Sequence, residues 1–234
     1  GRVAAIINHK ANKQWDTKAV RFGWIDFIDD IEVSRALLDA VGNYGKAHGM
    51  DNIIGPLGFT DMDPEGMLTD GFDQLGTMAT LYNYPYYPRH MQELGGWEKD
   101  NDYVEYKLIV PKEMPEKYMK VAQMIEKRYD LHVRAMTRRE IFKDGYGHKV
   151  FEVINETFKH LYGYSELSDR QIDQYVKMYL PFVDLNWVPI VEDWSVTPHK
   201  LVGVGITIPS LSRALQKLHR GRLWPFGWWD MLRV

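Results

Sequence analysis

The chain contains no cysteine, and this absence removes several kinds of chemistry at once. Disulfide bridges, thiolate zinc sites and a cysteine nucleophile are all excluded. The common signatures G-x-x-x-x-G-K-[ST], H-E-x-x-H and G-x-S-x-G are missing as well. No apolar run approaches the roughly 18 residues of a membrane span, and residues 1–11 lack the features of a signal peptide. We therefore expect a soluble, cytoplasmic protein without a membrane partner.

The composition of the 234 residues is that of a globular protein, with 45% hydrophobic and 26% charged residues. The net charge of −3 is unevenly distributed: residues 1–110 have a balance of −7 and residues 111–234 a balance of +4. This asymmetry indicates two domains, 1–110 and 111–234. The absence of a long basic stripe argues against a nucleic-acid partner. A short basic cluster lies near the C-terminal end and consists of Lys217, His219, Arg220 and Arg222. Such a cluster is typical of a solvated turn or, alternatively, of a site for a small ligand that bears a phosphate.

The periodicity of the first half alternates between strands and helices. Segments rich in β-branched and aromatic side chains predict strands over 3–9 and 19–28, which form a hairpin. A short strand is predicted over 52–54, and alternation of side chains predicts another over 103–110. Apolar residues at helical spacing predict a helix over 30–48, capped by Asp29 or Asp30 and stopped at Gly49. A second helix is predicted to follow Pro85 or Pro88.

The second half repeats this alternation after a break at the prolines of residues 111–115. We predict helices over 116–129, 149–162, 168–180 and 210–218, and strands over 131–136, 187–192 and 200–208. The tryptophans and phenylalanine of residues 223–229 are interpreted as core or interface aromatics. The predicted class is α/β, in the α+β sense of a mixed, mostly antiparallel sheet flanked by helices.

A long glycine- and acid-rich loop over residues 55–76 directly follows a predicted strand. Such a loop favours a ligand site, although its acids are equally suited to capping turns. Asp61-x-Asp63-x-Glu65-Gly66 also resembles the first half of a calcium loop, but the twelfth position is Phe72, so we assign no metal. We predict substrate-binding roles for loop residues Gly58, Phe59, Thr60, Asp61, Asp63 and Asp73.

Four tyrosines lie within residues 82–87, and His90 follows three residues later. Tyrosine offers an apolar face and one polar end, so this cluster is suited to line a pocket or, equally, to pack on the sheet. For His90 a surface or capping role is favoured over catalysis. We expect the cluster and the glycine-rich loop to share one cleft, and we add to the substrate-binding residues Tyr82, Asn83 and Tyr84.

Five segments together resemble an uncharacterised bacterial family of the GNAT acyltransferase superfamily: residues 1–9, 21–27, 54–73, 82–88 and 207–216. The similarity covers nearly the whole chain. It implies two GNAT-like domains in tandem, as in the Fem-type aminoacyltransferases, the second being incomplete because relatives are expected to continue beyond Val234. It also implies acetyl-CoA or another acyl-CoA as the acyl donor.

The resemblance implies catalytic positions at Asp26 on the second strand and at Tyr86 or Tyr87. In GNAT proteins, a glycine-containing loop before a helix holds the pyrophosphate, but here Asp29, Asp30 and Glu32 crowd that helix terminus. We therefore assign no cofactor-binding residues and predict that no pyrophosphate binds there.

Two functions remain open from the sequence. The first is an N-acyltransferase that transfers an acyl group from acyl-CoA to an amine-bearing small molecule. The second is a catalytically degenerate ligand-binding protein that retains the GNAT fold.

Overall fold

A computed structural model of the chain describes residues 1–77, 79–180 and 183–232. Two compact units are present. The first consists of Gly1–Tyr103, Leu161–Ser165 and Pro209–Val234, and the second consists of Val104–His160 and Glu166–Ile208. The division into domains 1–110 and 111–234 stays a prediction, because compactness alone does not show which parts of the chain fold independently.

The first unit is built around a three-stranded sheet in the order β1-β2-β3. The strands are β1 (Arg2–Ile6), β2 (Ala19–Asp26) and β3 (Asn52–Ile54). The first two pair antiparallel, as the predicted hairpin requires, while β2 and β3 pair parallel. The connection between β1 and β2 is not a plain polar turn, since it contains the short helix α1 (His9–Gln14).

Helix α2 (Ile31–Ala47) covers one face of this sheet. Asp30 caps its start by accepting a hydrogen bond from the Glu32 backbone N–H, and Gly49 follows its end with a φ of +76° that favours glycine. Its apolar stripe packs on the strands, forming a core of Val20, Phe22, Leu38 and Val41. The predicted helix over 30–48 is thus confirmed to within a residue at each end.

Residues 55–85 carry no helix or strand in the described positions, as the glycine-rich sequence predicts. Helix α3 (Tyr86–Leu94) then begins immediately after Pro85, where proline is well tolerated because the first N–H groups of a helix have no intrahelical partner.

The strand predicted over residues 103–110 is wrong. The segment is irregular, and its apolar side chains are exposed, Leu108 and Ile109 by more than four fifths. No strand in the described part of the chain pairs with it. Alternating apolar residues become a strand only when a neighbour supplies the ladder of hydrogen bonds.

The second unit contains helices packed on a wholly antiparallel sheet, β4-β5-β6. The strands are β4 (Leu131–Ala135), β5 (Pro189–Asp193) and β6 (Lys200–Val204). The helices are α4 (Glu116–Tyr129), α5 (Arg138–Lys143), α6 (Tyr146–Phe158) and α7 (Asp169–Tyr179). Ser168 and Gln171 form a capping box at the start of α7. The mixed α/β class, with mostly antiparallel sheets, is confirmed.

The C-terminal part of the first unit contains α8 (Ser212–Lys217) and α9 (Gly227–Leu232). Between them, Trp224 and Phe226 are 80% and 73% exposed. These two aromatic residues are therefore not part of a core in this structure, which leaves the interface interpretation for them.

Candidate functional site

The three predicted catalytic residues lie together at the end of β2. Tyr87 Oη donates a hydrogen bond to Asp26 Oδ1 at 2.7 Å, and the Phe27 backbone N–H donates to Tyr87 Oη at 3.2 Å. Tyr86 Oη donates to the Phe27 carbonyl at 2.7 Å. Helix α3 brings both tyrosines to the strand because they occupy its first two positions. We call Asp26, Phe27, Tyr86 and Tyr87 the Asp26 group.

Strand β2 is irregular just before Asp26. Trp24 has a φ of +46°, and the pairing with β1 shifts register between Arg2 and Ala4. A regular strand would place Asp26 on the same face as Phe22, which packs in the core under α2. The bulge interrupts that alternation, and the Asp26 side chain is 65% exposed, with Oδ2 lying 3.9 Å from Arg2 Nε.

The two tyrosines of the Asp26 group differ in how their hydroxyls are used. The Tyr87 hydroxyl is buried, and it donates one hydrogen bond and accepts another. Burial, and to a smaller extent the hydrogen bond to Asp26, raises the pKa of Tyr87 to about 12. Desolvation, with the charges of Asp29 and Asp26, also raises the pKa of Tyr86. Both phenols therefore keep their protons at neutral pH, and Tyr87 is suited to hold Asp26 in position.

A second polar network supports the same corner of the unit. His90 is almost fully buried, and its Nε2 lies 2.9 Å from Asp29 Oδ1, while Nδ1 lies 3.0 Å from Ser34 Oγ. The carboxylate only accepts, so Nε2 carries a proton. The hydrogen bond from His90, together with Arg89, lowers the pKa of Asp29. The His90 ring also stacks on Phe27 at 5.4 Å, so this histidine ties α2 and α3 to the Asp26 group.

The predicted absence of a pyrophosphate at the start of α2 stays a prediction, and the cap of this helix bears on it. The Asp30 carboxylate already accepts the Glu32 N–H at 3.0 Å, and the carboxylates of Asp29, Asp30 and Glu32 all lie at this terminus. A bound anion would have to displace the Asp30 cap, and it would meet the carboxylates of Asp29 and Glu32, which are paired with Arg89 and Arg35.

A buried charge cluster that sequence reasoning missed lies beside the glycine-rich loop. Arg21 on β2 is 5% exposed and donates to the carbonyls of Gly58 and Gly163 at 3.2 and 2.9 Å. Near it, Asp61 Oδ1 and Glu65 Oε1 are buried without a hydrogen-bond partner. Tyr103 is a neighbour of Glu65. We call Arg21, Asp61, Glu65 and Tyr103 the Arg21 cluster.

Burial dominates the electrostatics of the Arg21 cluster. It raises the pKa of Asp61 to about 6 against the opposing charge of Arg21. Burial and then the Asp61 charge raise the pKa of Glu65 to about 7. Burial also lowers the pKa of Arg21 and raises that of Tyr103 to about 12. The two carboxyl groups therefore titrate near neutral pH.

Several predicted loop residues have a structural role in this arrangement. Asp63 Oδ2 accepts the backbone N–H groups of Phe59 and Thr60 at 2.8 and 2.9 Å, so it caps its own turn. A Cβ on Gly58 would lie 2.0 Å from Asp63 Cβ, which explains why this position is glycine. Thr60 is buried, whereas the Phe59 ring is 43% exposed.

The remaining predicted residues are spread along the loop and the tyrosine cluster. The buried Asn83 side chain accepts the Leu68 N–H at 2.7 Å and donates to the Leu68 carbonyl, which pins the loop. Tyr82 and Tyr84 are each about 60% exposed, and Tyr84 stacks on Tyr86 at 5.6 Å. Asp73 is exposed and accepts a hydrogen bond from its neighbour Gln74.

The predicted residues thus form two groups. Tyr84 joins the Asp26 group through Tyr86, while Asp61 belongs to the Arg21 cluster. The glycine-rich loop and the tyrosine cluster are connected by the hydrogen bonds between Leu68 and Asn83. Among the described residues, no hydrogen bond or ring contact connects Asp61, Asp63 or Asp73 to the tyrosines of residues 82–87. The single cleft stays a prediction.

The described part of the chain offers little support for other kinds of site. No group of three or more His, Asp or Glu side chains there has the geometry to hold a metal ion. A shallow concavity of about 440 Å³ lies in the second unit, lined by Arg138, Val183, Asp184 and Leu185, and none of the predicted residues borders it. Helices within residues 1–77, 79–180 and 183–232 all fall short of the length and apolarity that a membrane span needs.

Fold and site together define a mixed α/β protein with an exposed carboxylate held by a buried phenol. The chain is 25% identical to Protein YghO of Escherichia coli (strain K12) over 235 residues, which cover 99% of this chain and 57% of that protein. It therefore spans little more than half the length of this relative. No model of a known protein family matches the chain, and no solved structure matches it.

Proposed function

We propose that the chain belongs to an N-acyltransferase that transfers an acyl group from an acyl-CoA thioester to an amine on a small molecule. The observation that carries this proposal is the Asp26 group, which combines an accessible carboxylate with two protonated phenols. The resemblance of five sequence segments to GNAT proteins supports the same reaction class. Little machinery beyond positioning, a base and an acid is needed for it.

In the proposed step, the amine nitrogen attacks the thioester carbonyl, a C–N bond forms and the C–S bond breaks. The Asp26 carboxylate takes the proton released by the amine. Tyr86 releases its hydrogen bond to the Phe27 carbonyl and gives its hydroxyl proton to the departing thiolate, and solvent returns a proton from Asp26 to Tyr86. Tyr87 is a positioning residue, because both hydrogen-bonding capacities of its hydroxyl are already used in holding Asp26 against the Phe27 backbone.

The amine-bearing acceptor is favoured by the acids on the glycine-rich loop. Asp61 and Asp73 contribute negative charge, while Asp63 is committed to its turn. A negative opening attracts a protonated amine and repels an anionic acceptor. Arg21 offsets part of this charge, so we expect a moderate preference for cations.

The nucleotide end of the donor needs a site other than the start of α2, where the Asp30 cap and three carboxylates oppose it. This same feature favours the alternative function, a ligand-binding protein that retains the fold without catalysis.

A thiol-release assay with acetyl-CoA and a panel of primary amines separates the two functions. The chain has no cysteine, so a disulfide reagent reports only thiol released from the donor. We expect saturable amine-dependent release. Asp26→Asn should lower kcat by about a hundredfold or more, and Tyr86→Phe by about tenfold.

Matched controls on α2 are Asp39→Asn, which makes the same change at an exposed carboxylate, and Tyr44→Phe, which removes an exposed hydroxyl. Both should retain full activity. Amine binding without any thiol release would favour the ligand-binding protein, and equal loss in Asp39→Asn and Asp26→Asn would remove Asp26 from the mechanism.

A further inference from the structure

The segment after α8 presents aromatic and basic side chains to solvent together. Residues 217–229 include Trp224 and Phe226, which are 80% and 73% exposed, and Leu223, which is 49% exposed. Lys217, Arg220 and Arg222 are exposed within the same segment. We call residues 217–229 the aromatic–basic segment. Side chains as apolar as these seldom face water in a group unless another surface covers them.

Hydrogen bonds within the segment close it into a defined turn. The Trp228 N–H donates to the Leu223 carbonyl, and the Trp229 N–H donates to the Phe226 carbonyl, both at 3.1 Å. The indole of Trp228 donates to the Pro225 carbonyl at 2.9 Å. This turn holds Trp224 and Phe226 outward.

The charged side chains within the segment have one sign. No Asp or Glu occurs between Asp193 and Asp230, although the whole chain has a net charge of −3. The nearest charged groups to Trp224 in sequence are Arg220 and Arg222. A surface that is both apolar and negatively charged therefore complements this segment.

We propose that the aromatic–basic segment docks the protein on an anionic membrane surface. Tryptophan and phenylalanine gain free energy at the boundary between headgroups and acyl chains, and neighbouring arginines and lysines are attracted to anionic headgroups. Such docking requires no spanning helix. The expectation that the protein has no membrane partner rested on the lack of a span, which does not bear on peripheral binding.

Two other binding partners fit the aromatic–basic segment less well than an anionic membrane does. A second copy of the chain would bring its own Arg220 and Arg222 against those of the first, so like charges would meet in the interface. A nucleic acid is usually held by about six to ten phosphate contacts, which is a longer basic track than this segment provides.

Vesicle co-sedimentation of the 234-residue chain tests the proposal. One set of vesicles contains phosphatidylcholine alone, and the other contains phosphatidylcholine with phosphatidylglycerol. We expect binding to the anionic vesicles that falls when the salt concentration rises from about 0.1 to 0.5 M. The double variant Trp224→Ser/Phe226→Ser should abolish it. Arg220→Gln/Arg222→Gln should weaken it roughly thirtyfold, since each basic residue near the surface contributes about a fivefold gain in affinity.

The controls carry matched changes elsewhere. Trp187→Ser removes a tryptophan that is 52% exposed in the second unit, and Lys117→Gln/Lys127→Gln removes two exposed charges from α4. Both should bind vesicles normally, and thermal unfolding should show that all variants are folded.

Three results would overturn the proposal. The first is equal binding to neutral and anionic vesicles, or binding to neither. The second is tight binding to a single-stranded oligonucleotide with no binding to lipid. The third is a concentration-dependent dimer that is lost in Trp224→Ser/Phe226→Ser while vesicles bind neither protein.

Discussion

Replacing the acids of the Arg21 cluster by their amides should change how stability depends on pH. In the folded protein, burial raises the pKa of Asp61 to about 6 and that of Glu65 to about 7, whereas unfolded carboxyl groups titrate near 4. Between these values the folded chain binds protons that the unfolded chain releases. The contribution of the two acids to stability is therefore fully present below about pH 4 and is lost as the pH rises through 6 to 7.

The size of the effect follows from these pKa values and from the exposure of the two side chains. When the pKa of a group in the folded chain differs from its pKa in the unfolded chain by about one pH unit, the free energy of unfolding changes by about 1.4 kcal/mol across the titration of that group. Both side chains are partly exposed, and each acid interacts with the other and with Arg21, so the sum for isolated groups is too large. We expect the wild-type chain to lose about 2 kcal/mol of unfolding free energy between about pH 4.5 and 8.

The variants Asp61→Asn and Glu65→Gln keep the side-chain shape but remove the ionisation. At about pH 8 each should be more stable than the wild type by about 1 kcal/mol, or about 2–4 °C in Tm. At about pH 4.5 the difference should vanish or reverse. Urea unfolding across this pH range, with Asp39→Asn as the exposed control, measures this.

Curves for both variants that run parallel to the wild-type curve across the whole pH range would refute the reasoning. They would mean that water reaches both carboxylates and that the folded and unfolded pKa values are alike.

Two further predictions concern carboxylates that accept several hydrogen bonds. Asp63→Ala removes the acceptor for two backbone N–H groups, so the unfolding free energy should fall by about 1–2 kcal/mol at every pH between about 6 and 9; an unchanged Tm would contradict the turn-capping role. Glu192→Gln in the second unit removes a buried charge that Arg134 contacts through Nε and Nη2, and this contact lowers the pKa of Glu192 to about 2. The wild type should exceed this variant by about 2 kcal/mol at about pH 7 and lose the advantage as the pH falls from about 4.5 toward 2; equal urea midpoints at neutral pH would contradict it.

Helices α2 and α3 were predictable because their signals are local. The spacing of apolar residues, the Asp30 cap and the glycine after the last turn locate α2 to within a residue, and Pro85 locates the start of α3. Each of these signals acts over about four residues or fewer, so the sequence alone contains them.

The strand predicted over residues 103–110 shows the limit of such signals. Its side chains are as typical of a strand as those of β2, but β2 lies between β1 and β3 while no described strand adjoins residues 103–110. A strand depends on hydrogen bonds to a distant segment, which the local pattern does not contain.

For the candidate site, too, some features follow from the sequence and others only from the tertiary structure. The resemblance singled out Asp26, Tyr86 and Tyr87 as candidates, one on the predicted second strand and two at the start of the helix predicted after Pro85, and their catalytic roles stay a prediction. Only the tertiary structure showed that Tyr87 uses its hydroxyl to hold Asp26 and that Asp63 caps its own turn.

No local sequence pattern predicts the Arg21 cluster. Arg21 stands inside an apolar strand, and its partners Gly58 and Gly163 follow 37 and 142 residues later. A charged residue in a strand usually faces water, and nothing local marks this one as buried. Burial and the unpartnered oxygens of Asp61 and Glu65 arise only when the loop folds over the sheet, because desolvation depends on every segment that excludes water from a group.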